Sequence, residues 1–348
     1  MELHADKKLA IFSLSHLAVD FACFFLLMGS YSRSMPDINH IGVGFLLYNF
    51  IAFALQIPFG YLADLKSIRL TGLTMLGCLL VAAALLLPIS WPWVALCVCA
   101  LGNALFHVGA GIDSLVNAAG GFSRSGQYIS FGAVGVALGT VTGRTDLVPR
   151  WAILLVFVVL VALQWVICAS DRPPCSAAFS LRFAHTLRDD VVVYLSMLGI
   201  VIRALVGATL VVSWKGSPWM TILPALCVFA GKWLGGCCAD RLGARGTAVV
   251  SLALSAPLLS FFSDNIALCC AGLLFFNMTT SITLCVISAK LPENPGFAFG
   301  LTTLVLFVGS TIGAFIVLPA PVLPVTHLLL IALSAILSLI IAPKRITA

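Results

Sequence analysis

The segment GYLADLKSIR, residues 60–69, recurs in altered form as GCCADRLGAR, residues 236–245. Both copies start with Gly, place Ala-Asp at the fourth and fifth positions and end with Arg, and each lies between two long apolar runs. The two Asp residues, Asp64 and Asp240, are 176 positions apart in a chain of 348 residues. A repeat of this length divides the sequence into two similar halves.

Two further matches support the repeat. VGVALG at residues 134–139 corresponds to VGSTIG at 308–313, and Asn103 corresponds to Asn277, both at a spacing of 174. The longest polar stretch between apolar runs, residues 170–190, lies between the halves. We therefore predict an amino-terminal bundle over 1–168, a cytoplasmic linker over 169–189 and a carboxy-terminal bundle over 190–348.

The composition is that of a membrane protein. Hydrophobic residues make up 61% of the chain and charged residues only 9%, whereas soluble domains carry about 25% charged residues. Spans are predicted at 9–30, 41–63, 70–88, 91–112, 127–143, 150–168, 190–212, 218–238, 247–263, 265–288, 297–318 and 325–342. So little chain remains outside them that large soluble catalytic, nucleic-acid-binding and cofactor-binding domains are excluded, and we expect no cofactor and no nucleic-acid partner.

The twelve cysteines do not indicate a metal site or a disulfide framework. Nearly all lie in or at the ends of apolar runs, and no pair of CxxC motifs is present. We interpret them as small residues at helix contacts and expect no metal site.

The distribution of Lys and Arg predicts the orientation. The first run is too long for a signal peptide and lacks a cleavage pattern, so we expect it to be retained in a chain that starts at Met1. Of the 19 basic residues, 13 then lie on the side of the termini and four on the other, with Arg203 and Lys232 inside spans. The positive-inside rule places both termini in the cytoplasm, in a cytoplasmic-membrane protein.

The repeated segments resemble the cytoplasmic signature of the major facilitator superfamily. The second copy matches throughout, at Gly236, Asp240, Arg241, Gly243 and Arg245. The first keeps Gly60, Leu62, Asp64 and Arg69 but has Leu65 and Ser67 where a basic residue and Gly are usual. The resemblance implies an all-α integral membrane protein with twelve transmembrane helices in two pseudo-symmetric six-helix bundles. GNALFHVGAG, residues 102–111, with the Gly-rich fifth span, also resembles the fosmidomycin-resistance-type branch.

The resemblance also implies a gate at the cytoplasmic side. In the superfamily the signature acid pairs with nearby basic residues and with a helix end of the opposite bundle, where a carboxylate is favoured. The alternative is a solvated turn that only obeys the positive-inside rule. The predicted gating residues are Asp64, Arg69, Asp240, Arg241, Arg245 and, at the end of the fourth span, Asp113.

Ionisable residues inside spans are costly and mark candidate proton or substrate sites. His16 and Asp20 are four residues apart on one face of the first helix, with Asp20 near mid-depth. Asn103 and His107 share a face of the fourth helix in the same way. We predict that Asp20, His16 and His107 couple transport to protons. The alternatives are a structural pair, for example Asp20 with Arg203, and a His107 that only links helices.

The second half contributes the candidate cations. Arg203 lies near mid-depth of the seventh span, where it would bind a carboxylate or phosphate, or neutralise Asp20. Lys232 is nearer the cytoplasmic end of the eighth span and could instead snorkel to the surface. The predicted substrate-binding residues are Arg203, Lys232, Asn103 and Asn277.

The sequence as a whole predicts a secondary active transporter rather than an enzyme. It would move a small organic solute, anionic or drug-like, by alternating access, as a monomer in the lipid bilayer. Protons are the expected energy source because the chain has no GxxxxGK[ST] loop for ATP, and the branch resemblance suggests efflux. The alternatives are a membrane enzyme using His107 and Asp113 as acid and base, and a transporter-like sensor without flux.

Overall fold

The computed structural model of the protein describes residues 2–66, 68–117, 121–168, 186–214 and 216–343. These residues form α-helices with short π and 3₁₀ turns and no β-strand. The main helices, numbered in chain order, are α1 (Ala5–Ser34), α2 (Ile38–Lys66), α3 (Leu70–Leu86), α4 (Pro92–Val116), α5 (Ser123–Thr145), α6 (Arg150–Cys168), α7 (Leu187–Thr209), α8 (Ile222–Leu242), α9 (Ala244–Phe261), α10 (Ile266–Lys290), α11 (Pro295–Phe315) and α12 (Leu323–Ile341).

Ten of these helices are long and apolar enough to cross a membrane. The other two are α3, which has 17 residues, and the Gly-rich α5, which has 23. Each overlaps a predicted span, so the helices are consistent with the expected twelve. Their outer faces are apolar: on α6, Phe157 and Gln164 are buried while Trp151 and Trp165 are 68% and 66% exposed. Polar side chains inside and apolar ones outside suit a lipid environment.

Helix α7 overlaps the end of the predicted linker. Helix α7 begins at Leu187, and the Thr186 hydroxyl accepts a hydrogen bond from the Asp189 main-chain N–H, as an N-cap does. Asp189 was assigned to the linker because it belongs to the polar stretch, but acids such as Asp189 and Asp190 are favoured in the first turn of a helix. Most of the predicted linker, residues 169–185, lies outside the described residues.

The helices of each half pack mainly on one another, and two helix pairs make most of the contact between the halves. Within the halves α1 packs on α5, α3 on α4, α7 on α11 and α9 on α12. Between the halves α5 packs on α8 and α2 on α11. Gly60 and Gly296 allow the second crossing, since a Cβ on Gly60 would lie 2.1 Å from the main-chain oxygen of Gly296. Glycine at such a point lets two helices approach closely.

The turn between α8 and α9 requires the glycine of the signature. Gly243 has φ of 94°, a conformation that residues with a side chain rarely adopt. It ends α8 three residues after Asp240, so that α9 can begin at Ala244. The corresponding position of the first copy, Ser67, lies outside the described residues.

Candidate functional site

Three side chains from α1 and α4 meet inside the amino-terminal half, and we call them the triad: His16, Asp20 and His107. The two His Nε2 atoms are 2.9 Å apart. Asp20 Oδ2 lies 3.2 Å from His16 Nε2, and Asp20 Oδ1 lies 3.8 Å from His107 Nε2. The side chains of all three are at most 13% exposed. The structure therefore brings together all three residues predicted to couple protons.

Main-chain and amide groups hold the triad in place. His16 Nδ1 lies 2.8 Å from the main-chain oxygen of Tyr128 on α5, and His107 Nδ1 lies 2.9 Å from that of Asn103. The Asn103 side chain donates a hydrogen bond of 2.9 Å to Asp20 Oδ1. Asn103, predicted to bind substrate, thus serves as a direct partner of Asp20.

Helix α5 closes over the triad at a glycine. A Cβ on Gly132 would lie 2.3 Å from His16 Nε2 and 2.4 Å from Asp20 Oδ2. Further along α5, Gly139 and Gly143 meet the main chain of α1, as glycines at close helix contacts do. Gly132 is different because its neighbours are the polar ends of the triad.

A buried polar network beside the triad was not predicted from the sequence. The Gln164 amide on α6 donates to the Ser15 hydroxyl at 2.8 Å, and Thr74 on α3 donates to Gln164 Oε1 at 2.9 Å. All three residues are fully buried. Gln164 within the long apolar run of α6 could have indicated such a network, because a buried amide needs hydrogen-bond partners.

Asp64 joins the halves at the end where α6 stops and α7 starts, which we call the linker end. Its two carboxylate oxygens accept hydrogen bonds from the main-chain N–H groups of Gly296 and Phe297, at 2.9 and 2.8 Å. These are the first residues of α11 after Pro295. The acid of one half thus caps a helix amino terminus of the other, where the helix dipole favours negative charge.

Asp240 makes the equivalent contact in the opposite direction. Its carboxylate accepts hydrogen bonds from the main-chain N–H groups of Phe122 and Ser123, at 2.7 and 2.9 Å, at the start of α5. We call the two contacts the Asp64 seat and the Asp240 seat. Each contact joins the halves through hydrogen bonds at a helix end.

The remaining predicted gating residues have different surroundings. Arg245 donates from Nε to the main-chain oxygen of Ala342 at 2.9 Å, and so ties α9 to the end of α12. Asp113 is buried in an ion pair of 2.5 Å with Lys8 on α1, although the sequence places it near water. Arg69 and Arg241 are exposed at the linker end.

Arg203 lies inside the carboxy-terminal half. Its guanidinium donates to the Ser334 hydroxyl on α12 at 3.1 Å and to Thr283 on α10 at 2.9 Å. It does not form the pair with Asp20 considered from the sequence, because the contacts of Asp20 come from its own half. Asn277 donates to the main-chain oxygen of Leu273 in its own helix. The hydrogen bonds of Arg203 and Asn277 thus stay within the carboxy-terminal half, away from the triad.

Lys232 is the predicted substrate-binding residue of the carboxy-terminal half that reaches the amino-terminal half. Its ammonium group, on α8, donates a hydrogen bond of 3.3 Å to the main-chain oxygen of Ile129 on α5. It lies within electrostatic range of both Asp20 and His107. Lys232 is therefore turned across the interface between the halves, rather than only along its own helix toward the surface.

Comparison with known proteins identifies the fold of the chain. No protein-family model matches the sequence, and no curated protein matches it. A solved structure of a variant of the E. coli fucose:proton symporter FucP is similar, with a TM-score of 0.61 and 16% identity over 94% of this chain and 96% of that one. A structure of FucP, a major facilitator superfamily transporter, in the outward conformation has a TM-score of 0.60 and 16% identity over 93% of this chain and 98% of that one. The chain therefore has the major facilitator fold.

Proposed function

We propose that the protein is a secondary active transporter that works by alternating access. The observation that carries the proposal is the reciprocal pair of seats, in which Asp64 and Asp240 each cap a helix of the opposite half. Contacts of this kind close one end of the molecule and can be exchanged for an open state as the halves rock. The predicted cytoplasmic placement of this end, with both termini, would make the seats an inner gate.

We propose further that the triad couples transport to protons. Ionisable groups buried in a membrane protein mark proton or ion pathways, and here two imidazoles and a carboxylate form one connected group. FucP is described as a proton symporter, and its fold is the fold of this chain. The triad lies on α1 and α4, packed under α5, one of the helices of the interface between the halves.

The substrate we propose is a small organic solute with an anionic group. Lys232 supports this choice, since its ammonium is at the interface and has no carboxylate within 4.0 Å among the described residues. Arg203, Asn103 and Asn277 remain proposed substrate-binding residues. We also propose that the protein exports its substrate, as the branch resemblance suggests. It would act as a monomer in the cytoplasmic membrane.

No observation favours the membrane enzyme considered from the sequence. His107 contacts His16, and Asp113 pairs with Lys8. The two groups that would have to act together as acid and base therefore have separate partners. The sensor alternative is decided by the flux experiment that follows.

Proton flux in liposomes tests the proposal. Wild-type protein is expected to move protons when a substrate from a panel of organic anions and hydrophobic drugs is added. Asp20→Asn should abolish this flux, because the amide removes the charge that balances the histidines. The flux is read with an entrapped pH-sensitive dye. Asp264→Asn is the matched control, since Asp264 is exposed and accepts a hydrogen bond from the Ser213 hydroxyl, away from the triad.

Two results would count against the proposal. Substrate-driven proton flux that persists in Asp20→Asn would make the triad structural. Binding of a panel compound without any flux, in protein of verified orientation and folding, would favour the sensor.

Replacing Lys232 is expected to discriminate between substrates. In Lys232→Gln, the KM for an anionic substrate should rise by about tenfold or more, since loss of one desolvated charge contact costs about 1.4 kcal/mol or more. Uptake assays with an anion and a neutral analogue measure the difference. Lys66→Gln, at the exposed end of α2, serves as control. An equal loss for both substrates would show that Lys232 acts through packing.

A further inference from the structure

The hydrogen bonds of the two histidines define where their protons are. His16 Nδ1 and His107 Nδ1 each lie within 2.9 Å of a main-chain carbonyl oxygen. A carbonyl oxygen only accepts hydrogen bonds, so both Nδ1 atoms must carry a hydrogen and donate it. In a neutral imidazole with hydrogen on Nδ1, the Nε2 atom has a lone pair and no hydrogen.

The contact between the rings then requires one more proton. Two Nε2 lone pairs facing each other at 2.9 Å repel, whereas a single proton between them makes an N–H···N hydrogen bond of normal length. We infer that His16 and His107 share one extra proton between their Nε2 atoms, and that this pair, with Asp20 as its permanent counter-ion, carries the coupling proton. The second part of this inference rests on the proton coupling proposed above.

The surroundings of Asp20 fit a carboxylate that stays ionised. Oδ1 accepts from Asn103 Nδ2 at 2.9 Å, and Oδ2 lies 3.2 Å from His16 Nε2. With one shared proton on the histidines, the buried triad is neutral overall, which avoids an uncompensated charge in a medium of low polarity. The geometry thus assigns the exchanged proton to the histidine pair rather than to Asp20.

The other groups that face the pair limit it to one proton. From α8 comes the Lys232 ammonium, from α4 the Asn103 amide, and from α5 the Tyr128 ring, 4.8 Å from His16, together with Gly132. The Tyr128 hydroxyl has no hydrogen-bond partner among the described residues. If both rings were imidazolium, they would repel each other and Lys232. If neither ring carried an extra proton, the two Nε2 lone pairs would face each other.

A metal ion explains the contact less well than a proton. Two nitrogens bound to a tetrahedral zinc at about 2.0–2.1 Å each would be about 3.3 Å apart. The observed 2.9 Å between the Nε2 atoms is shorter and equals an ordinary hydrogen bond.

Release of the shared proton changes the charge at the interface between the halves. The Nε2–H bond breaks, water takes the proton, and the triad is left with the negative charge of Asp20 opposite Lys232. An attraction across the α5–α8 contact is thereby gained on release and lost on uptake. This links the protonation of one half to its contact with the other.

Nitrogen NMR of the whole protein in lipid nanodiscs tests the inference. The chain has six histidines, all labelled with ¹⁵N, and spectra are recorded near neutral pH. Wild type should show one imidazolium signal, with a coupling across the N–H···N bond, that is absent from both His16→Gln and His107→Gln. His327→Gln is the control, because His327 is also buried but bonds to Thr209 in the other half.

A second label covers the case in which a Gln variant does not fold. In wild type labelled with ¹³C at the aspartate carboxyl groups, the Asp20 signal, assigned with Asp20→Asn, should stay at its ionised position while the imidazolium signal titrates. An Asp20 signal that moves with pH instead would overturn the inference. An imidazolium that survives in His107→Gln, or Co²⁺ bound at the pair with its visible absorption band, would do the same.

The outcomes also separate this inference from the proposed function. Proton flux in liposomes together with a titrating Asp20 would leave the transporter in place and move the proton back to the carboxylate. A shared proton in the spectra without any flux would support the proton-sharing histidine pair but contradict its role in coupling.

Discussion

Replacing the acids of both seats by their amides, Asp64→Asn together with Asp240→Asn, is expected to open the linker end of the protein. Each carboxylate accepts two main-chain N–H groups at a helix start in the opposite half. An amide has one accepting oxygen, so its NH₂ group would face the second N–H. The favourable interaction with the helix dipole is lost at the same time.

The expected change is large because the two seats act together. Hydrogen bonds to charged groups contribute about 1.5–3 kcal/mol, and partial exposure of the seats reduces this to about 1–2 kcal/mol each. Loss of both seats, about 2–4 kcal/mol, then favours the open state by roughly thirtyfold or more. Each single variant should give about half of this free-energy change.

Cys285 reports the opening directly. Its thiol lies on α10, 3.9 Å from the main-chain oxygen of Gly121 beside the Asp240 seat. Labelling with a maleimide, read peptide by peptide by mass spectrometry, should be faster at Cys285 in the double variant. Cys78 is an internal control, because it is buried inside the amino-terminal half next to Gln164.

The control variant for the seats is Asp146→Asn. Asp146 pairs with Arg33 at 2.7 Å, and both side chains are about half exposed, outside the seats. Its Cys285 labelling should match wild type. Unchanged labelling in the double gate variant would mean that the seats do not hold the halves together. Equal gains at Cys285 and Cys78 would indicate unfolding.

Gly132→Ala is expected to stop proton coupling while leaving the protein folded. The added methyl group would lie within 2.4 Å of both His16 Nε2 and Asp20 Oδ2. Hydrogen bonds to Tyr128 and Asn103 hold these side chains, so either the triad separates or α5 moves away. Overpacking of this kind costs about 1–3 kcal/mol, and we expect substrate-driven proton flux to fall at least tenfold.

Flux and thermal stability should be measured on the same preparation. Gly207→Ala on α7 is the matched control, because nothing lies within 4 Å of the added Cβ. It should keep full flux with no loss of stability. Normal flux in Gly132→Ala would show that α5 does not constrain the triad. Complete loss of folded protein would instead mark Gly132 as a packing position only.

Local patterns in the sequence accounted for the helices and for part of the candidate site. The spacing of four between His16 and Asp20, and between Asn103 and His107, correctly placed each pair on one helix face, because a helix turn has 3.6 residues. The repeated Asp64 and Asp240 pointed to the helix ends that they contact. The alternative pairing of Asp20 with Arg203 does not form, since charge alone says nothing about which helices are neighbours.

By itself, the sequence determined the membrane location, the two related halves and the approximate helix limits. These follow from chain segments of about 20 residues, since a backbone in lipid must satisfy its hydrogen bonds within each helix. Only the tertiary structure decided that His107 meets His16 across 91 positions of chain, that Gly132 closes over them and that Lys232 points across the interface. Such contacts depend on how helices distant in the chain pack together, and helix packing is set by the shapes of two surfaces rather than by the spacing within one.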